Sequence, residues 1–206
     1  MNKVANFVVI DTNEGKMIIN RHDIYHVNCW KEARSSIEDE VKKLFPIIDS
    51  FTKNCIVVDA GAHLGMYTIP IAKRILSKKG KVISFEPQKM FYYSLCGSLA
   101  LNDIDNVEAH QKALGDSFSK ITLTPVNYSD PNNFGGISGK GNNEGGEVVE
   151  VVTIDNLNLE RLDLLKIDVE NMLSKGKGLY HPRIGEPTGK LAIVSDSGNV
   201  NIRYRL

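Results

Sequence analysis

Three groups of residues have the types and spacing to do chemistry. The first is Asp59-Ala60-Gly61-Ala62-His63-Leu64-Gly65, directly after the apolar run Cys55-Ile56-Val57-Val58. A buried strand that breaks into a glycine turn and then a helix is how open α/β sheets hold nucleotides and related molecules. Glycines let the backbone approach a ligand closely, and a helix N-terminus offers free N–H groups. The Asp59 carboxylate favours hydroxyl or amino groups over phosphate. The second group is Glu86-Pro87, which ends Lys81-Val82-Ile83-Ser84-Phe85 and lies 25 residues after Gly61. A carboxylate at the tip of the second strand can accept hydrogen bonds from both hydroxyls of a ribose. The third group is Lys166, Asp168 and Glu170 at the end of the apolar run Leu162–Ile167. Asp168 and Glu170 alternate along a strand and so face one side. In an open parallel sheet, ligands sit beyond such strand ends.

The elements that position these groups follow from the pattern. Phe7–Ile10 and Met17–Ile19 flank a polar loop ending in Gly15 and predict a hairpin. Ser35 with Glu38 forms a capping box, and Ile37, Val41, Leu44, Phe45 and Ile48 recur at helical spacing, with Pro46 expected to kink or end that helix. A helix from the glycine turn to about Leu76 buries Ile69, Ala72, Ile75 and Leu76, and Pro70 is expected to kink its first turns. A further helix spans about Lys89–Leu101, and Val107–Ala109 and Ala113-Leu114 follow it. Strand-helix-strand-helix-strand in this order implies parallel strands joined by right-handed crossovers. Ile121–Leu123 and Val148–Thr153 read as two strands around a long loop. Residues 127–146 of that loop hold six glycines, so a flexible loop is expected there ahead of a substrate lid.

With 206 residues, 42% hydrophobic and 24% charged, one soluble domain accommodates the chain. A formal net charge of zero gives no reason to invoke nucleic acid or an acidic membrane. Cys29, Cys55 and Cys96 are an odd, sparse set, as expected of reduced thiols inside a cell. No apolar run reaches the roughly 20 residues of a membrane span, and the N-terminus lacks a signal-peptide core, so the expected compartment is the cytoplasm.

Two motifs look like sites and are set aside. His22-Asp23-Ile24-Tyr25-His26 superficially matches the zinc-protease pattern H-E-x-x-H, which needs a helix to bring its imidazoles together. The neighbours are β-branched and aromatic, and in a strand residues four apart lie roughly 13 Å apart. These histidines are therefore read as ordinary surface or half-buried ones, and no metal ligands are assigned. Gly139-Lys140 resembles part of a P-loop, but Phe134 and Gly141 occupy the positions that need Gly and Ser/Thr.

Taken together, Asp59–Gly65, Phe85-Glu86-Pro87, Ala113-Leu114-Gly115-Asp116 and Leu165–Glu170 resemble the FkbM-type methyltransferases, over about residues 7–170. The resemblance implies a class I Rossmann-like fold: an open, mostly parallel sheet flanked by helices. It also implies S-adenosylmethionine as cofactor and methyl transfer to a hydroxyl of a small-molecule or glycan acceptor. On that resemblance Asp59, Gly61 and Gly65 line the methionine end of the cofactor and Glu86 holds its ribose. Ala62, His63, Pro87 and Ala113 also belong to the cofactor-binding residues. Asp168 and Glu170 lie near the transferred methyl, with Asp168 the first candidate for base or orienting group and Lys166 a candidate to stabilise an alkoxide. His63 stands where the family more often has Asn, and either hydrogen-bonds the cofactor or caps the turn.

The resemblance stops at Asn171. Residues 171–206 carry six basic and two acidic residues, a balance of +4, against 19 basic and 23 acidic, −4, in residues 1–170. The expected organisation is a methyltransferase domain over 1–170, with N-terminal strands and helix in 1–54 and a cofactor core in 55–170. An unrelated basic tail with a possible hairpin follows, joined by fusion, frameshift or assembly error to a sheet shortened after its fourth core strand. A cofactor-binding remnant without activity is an alternative. A dehydrogenase ranks below both, because Gly61-x-x-x-Gly65 is not G-x-G-x-x-G.

Overall fold

The computed structural model describes residues 4–26, 37–136, 143–168, 191–195 and 200–203. Its centre is a sheet of six strands. Ile56–Ala60 (β3), Lys81–Phe85 (β4) and Val107–His110 (β5) run parallel side by side. Leu164–Ile167 (β9) pairs parallel with the opposite edge of β3. The chain thus builds the sheet outward from β3 in one direction and then returns to its other side. The point of reversal lies between the C-terminal ends of β3 and β9, where open α/β sheets place their ligands. Strands β3, β4 and β9 read as almost continuous apolar runs because both sheet faces are covered.

The tail hairpin forms. Leu191–Ser195 (β10) and Val200–Arg203 (β11) pair antiparallel, and β10 lies parallel to β9. The tail is therefore built into the sheet as its continuation beyond β9.

Three helices among the described residues flank the strands. Glu38–Asp49 (α1) buries Val41, Leu44 and Ile48 at helical spacing. The Ser35–Glu38 capping box lies outside the described residues, which do not include Ser35; the Glu38 side chain contacts Lys42 and Asn13. Pro46 sits inside the helix, which ends three residues later. Thr68–Ile75 (α2) begins later than the glycine turn suggests. Pro70 falls in the first turn, and its missing N–H leaves out one bond between two that form, Ile69 N to Gly65 O at 2.9 Å and Ile71 N to Tyr67 O at 3.2 Å. Leu76, expected on the buried face, belongs to a short 3₁₀ turn and is exposed.

Lys89–Leu101 (α3) buries Phe91, Leu95 and Leu99 on one face. The N-terminal hairpin, Phe7–Thr12 (β1) with Gly15–Asn20 (β2), packs on this helix. Gly97 permits the contact, since a Cβ there would stand 2.4 Å from Ile18 Cδ1. Ser98 Oγ then accepts from Ile18 N at 2.9 Å.

Ala113-Leu114 (β6), Ser119–Thr122 (β7) and Val148–Val152 (β8) form a second, three-stranded sheet with its own apolar cluster. Of the connection from β7 to β8, residues 123–136 and 143–147 are described, and 123–136 form a strap anchored by the fully buried Phe134. Phe134 packs near Phe91 and Tyr128 with ring centroids 6.0 and 5.4 Å away. Asn132 N donates to His22 O, and Ile24 N donates to Asn132 O, so the strap also holds the segment after β2. No helix of the described residues is long and apolar enough to cross a membrane. Cys55 and Cys96 are free thiols.

Candidate functional site

The site grows from the ends of three parallel strands. β3 ends in Asp59 and Ala60, and Gly61 turns with φ +79°. A Cβ on Gly61 would stand 1.9 Å from the main-chain oxygen of Asp168, so close approach is required here by the neighbouring strand end rather than by a ligand. Gly61 N and Ala62 N both donate to Phe85 O at 2.9 Å, which ties the turn to the end of β4. Ala62 is buried. Gly65, with φ +100°, packs against Leu95 and Ile69.

Lys166 is the hub beneath this turn. Its ammonium donates to Gly61 O at 2.8 Å and lies 3.2 Å from Asp59 Oδ1 and 3.5 Å from Asp168 Oδ2. The Tyr67 ring centroid is 4.8 Å away. The lysine side chain is 4% exposed and that of Asp168 is 47% exposed, so of the two only the carboxylate reaches solvent. Asp59 is fully buried, and its Oδ2 accepts from Thr68 Oγ1 at 2.6 Å. Thr68 in turn meets Ser84 Oγ at 2.9 Å. Burial, and then the hydrogen bond to Glu40, push the Tyr67 phenol up.

Glu86 is the second focus. Its two oxygens each take one backbone donor, His63 N at 2.7 Å and Gln88 N at 2.8 Å. Burial nevertheless pushes its carboxyl up to about 7 against these two N–H groups. Gln88, at the start of α3, donates through Nε2 to Phe134 O at 2.9 Å, while its buried Oε1 has no partner. Pro87 is half-buried between these two acceptors. A carboxylate oxygen can accept more than one hydrogen bond. The surplus acceptors at Glu86 and Gln88 therefore fit a ligand that brings hydroxyl donors, such as a ribose diol, and two carboxylates within the site disfavour phosphate.

His63 adopts φ +50° at the crest of the turn. Its ring stacks on Phe91 at 3.8 Å and lies 5.4 Å from the ring of His26. Burial first, then the positive field of His26 and Lys166, hold the His63 imidazole well below its ordinary value. Burial also lowers His26 to about 4 and raises Asp23 to about 6.

The structure thus brings together Asp59, Gly61, Ala62, His63, Gly65, Glu86, Pro87, Lys166 and Asp168. Ala113 lies in β6 and packs with Leu123, Val149 and Val151. Glu170 lies outside the described residues. Sequence reasoning missed Thr68, Tyr67 and Gln88, whose roles depend on contacts between elements. It also set aside residues 22–26 as strand, whereas β2 ends at Asn20 and this segment turns back toward His63.

Two curated relatives align with the chain. The methyltransferase sdnD of Sordaria araneosa is 29% identical, covering 60% of this chain and 59% of that protein. Methyltransferase 1 of Beauveria bassiana (strain ARSEF 2860) is 26% identical, covering 50% of this chain and 42% of that protein. The chain thus spans about three-fifths or less of these relatives' length. Among solved structures, the methyltransferase FkbM from Methylobacillus flagellatus KT is 18% identical with a TM-score of 0.45, covering 70% of this chain and 33% of that one. The model of the methyltransferase FkbM domain matches residues 59–172, which run from the carboxylate that ends β3 past the end of β9. With just over half of its length in that match, this chain belongs to the methyltransferase FkbM domain family.

Proposed function

We propose that the protein binds S-adenosylmethionine at the ends of β3 and β4 and transfers its methyl group to a hydroxyl oxygen of a sugar or natural product. The observation that carries this reading is the set of surplus acceptors at the switch point of the sheet. Glu86 and Gln88 can take a ribose diol, and Asp59 supplies a carboxylate beside the turn for an amino group. Bound there, the cofactor supplies an electrophilic methyl on a sulfonium.

The chain's part is to align the acceptor in line with that methyl and to exclude water. Asp168 is the reachable carboxylate at the end of β9 and receives the hydroxyl proton. Lys166 is the positioning residue: it fixes the Gly61 carbonyl, Asp59 and Asp168 relative to one another. The cofactor core occupies residues 55–170, with residues 1–54 covering one side.

Calorimetric titration with S-adenosylmethionine and, separately, with NAD tests the binding. Saturable heat with NAD and none with S-adenosylmethionine would sink the proposal. Methyl transfer from labelled S-adenosylmethionine to a panel of sugar and polyol hydroxyls tests the chemistry, with Asp168→Asn expected to lower turnover about 100-fold or more. A second reading is a protein that binds the cofactor without transferring its methyl group. Binding without turnover on any acceptor would support it.

A further inference from the structure

Asp23, His26 and His63 converge from two separate stretches of chain. One donor atom from each lies within 4.8 Å of the others. Asp23 and His26 are each only 2% exposed. Asp23 Oδ1 is held by Tyr25 N at 3.0 Å, which orients the carboxylate and leaves the buried Oδ2 without a hydrogen bond. That oxygen is 3.9 Å from His26 Nε2, too far for a hydrogen bond between them. His63 Nε2 is likewise buried without a hydrogen-bond partner, on a ring that Phe91 fixes by stacking.

Native proteins pair buried polar atoms as a rule, so two such orphans facing one another with a second imidazole beside them need a common partner. A hydroxyl or water could satisfy one. A cation satisfies both acceptor lone pairs together with His26. We propose that Asp23, His26 and His63 are the ligands of a divalent transition-metal site of the zinc class. Two imidazole nitrogens and one carboxylate oxygen select such an ion over magnesium or calcium, which take oxygen ligands.

The geometry needs little adjustment. Tetrahedral donors at zinc bond lengths of roughly 2.0–2.2 Å stand about 3.4 Å apart, so the cluster must contract by at most about 1.4 Å. Three protein ligands leave a position for water. The ion would staple the segment after β2 to the crest of the turn that follows β3, where the backbone N–H of His63 already serves Glu86. The site does not depend on the proposed methyl transfer and is tested without S-adenosylmethionine.

The experiment uses the full chain without an affinity tag, stripped with EDTA and titrated with Zn²⁺ and, for its absorption bands, Co²⁺. One equivalent binds, the cobalt spectrum lacks thiolate charge transfer, and Mg²⁺ in excess does not compete. Asp23→Asn, His26→Ala and His63→Asn each weaken Zn²⁺ binding by about 10- to 100-fold or more. His110→Asn, at a half-buried histidine paired with Glu108, leaves it unchanged. His63→Asn suits the positive φ, because Asn tolerates that conformation. A metal-free melting temperature close to wild type shows that this variant is folded. Should another variant fold poorly, the loss of the zinc-induced rise in melting temperature in His63→Asn decides by itself. Absence of saturable Zn²⁺ binding, or equal binding by His63→Asn and wild type, would overturn the site.

Discussion

The ends of β3 and β9 and the end of β4 are built from similar residues but have different electrostatics. At the first, the buried Asp59 faces Lys166, Thr68 completes the carboxylate, and Asp168 lies within reach of the same ammonium. The charges there answer one another. At the second, Glu86 has only backbone N–H groups as hydrogen-bond donors, burial raises its carboxyl to about 7, and Gln88 Oε1 has no partner. A cluster of matched charges holds strand ends in register, with Asp59 Oδ1 buried 3.2 Å from the Lys166 ammonium and without a hydrogen bond. A buried carboxylate beside a surplus acceptor is costly unless something arrives to use it. The difference separates a carboxylate that is ion-paired and leaves one oxygen over from a pair of acceptors that no cation in the site answers.

The sharpest way to break this contrast is Lys166→Met. It leaves Asp59 buried without its cation, and stability should fall by about 3–5 kcal/mol. The double variant with Asp59→Asn should regain much of that loss in denaturant titration. If Lys166→Met alone is neutral, the first cluster is not held by its matched charges. Phe134→Ala comes next. It empties a fully buried site and releases the carbonyl that Gln88 grips, for about 3 kcal/mol. Stability measured by urea unfolding should fall, and S-adenosylmethionine affinity with it.

Glu86→Ala is expected to weaken S-adenosylmethionine binding at least about tenfold, or roughly 1.4 kcal/mol. Equal affinity in calorimetry would mean that the end of β4 is not the ribose acceptor. The smallest effect belongs to Asp49→Asn. It removes the exposed ion pair with Arg74, and neither melting temperature nor ligand affinity should change measurably.

Much of the central sheet was legible because its signals are local. Val57-Val58, Val82-Ile83 and Leu164-Leu165 are apolar runs that end in Gly or acidic residues, and both conditions are written within a few positions. The N-terminal hairpin, α3 and the tail hairpin were legible for the same reason. Leu76 was misjudged because the end of α2 depends on how the helix packs, not on the helix pattern alone. The anchoring of the strap by Phe134 was not legible, because six glycines outweigh one aromatic in composition and its burial depends on Phe91 and Tyr128 from other parts of the chain.

By itself the sequence determined the order of strands and helices, the glycine turn, and the carboxylates Asp59 and Glu86 at strand ends, since strand and turn propensities act over neighbouring residues. Only the tertiary structure decided what those carboxylates meet. Lys166 reaches the Gly61 carbonyl across 105 positions of chain because β9 lies beside β3 in one register. His26 reaches His63 because the chain turns after Asn20 where a strand was expected. Such meetings depend on the packing of whole elements against each other, and no local spacing encodes them.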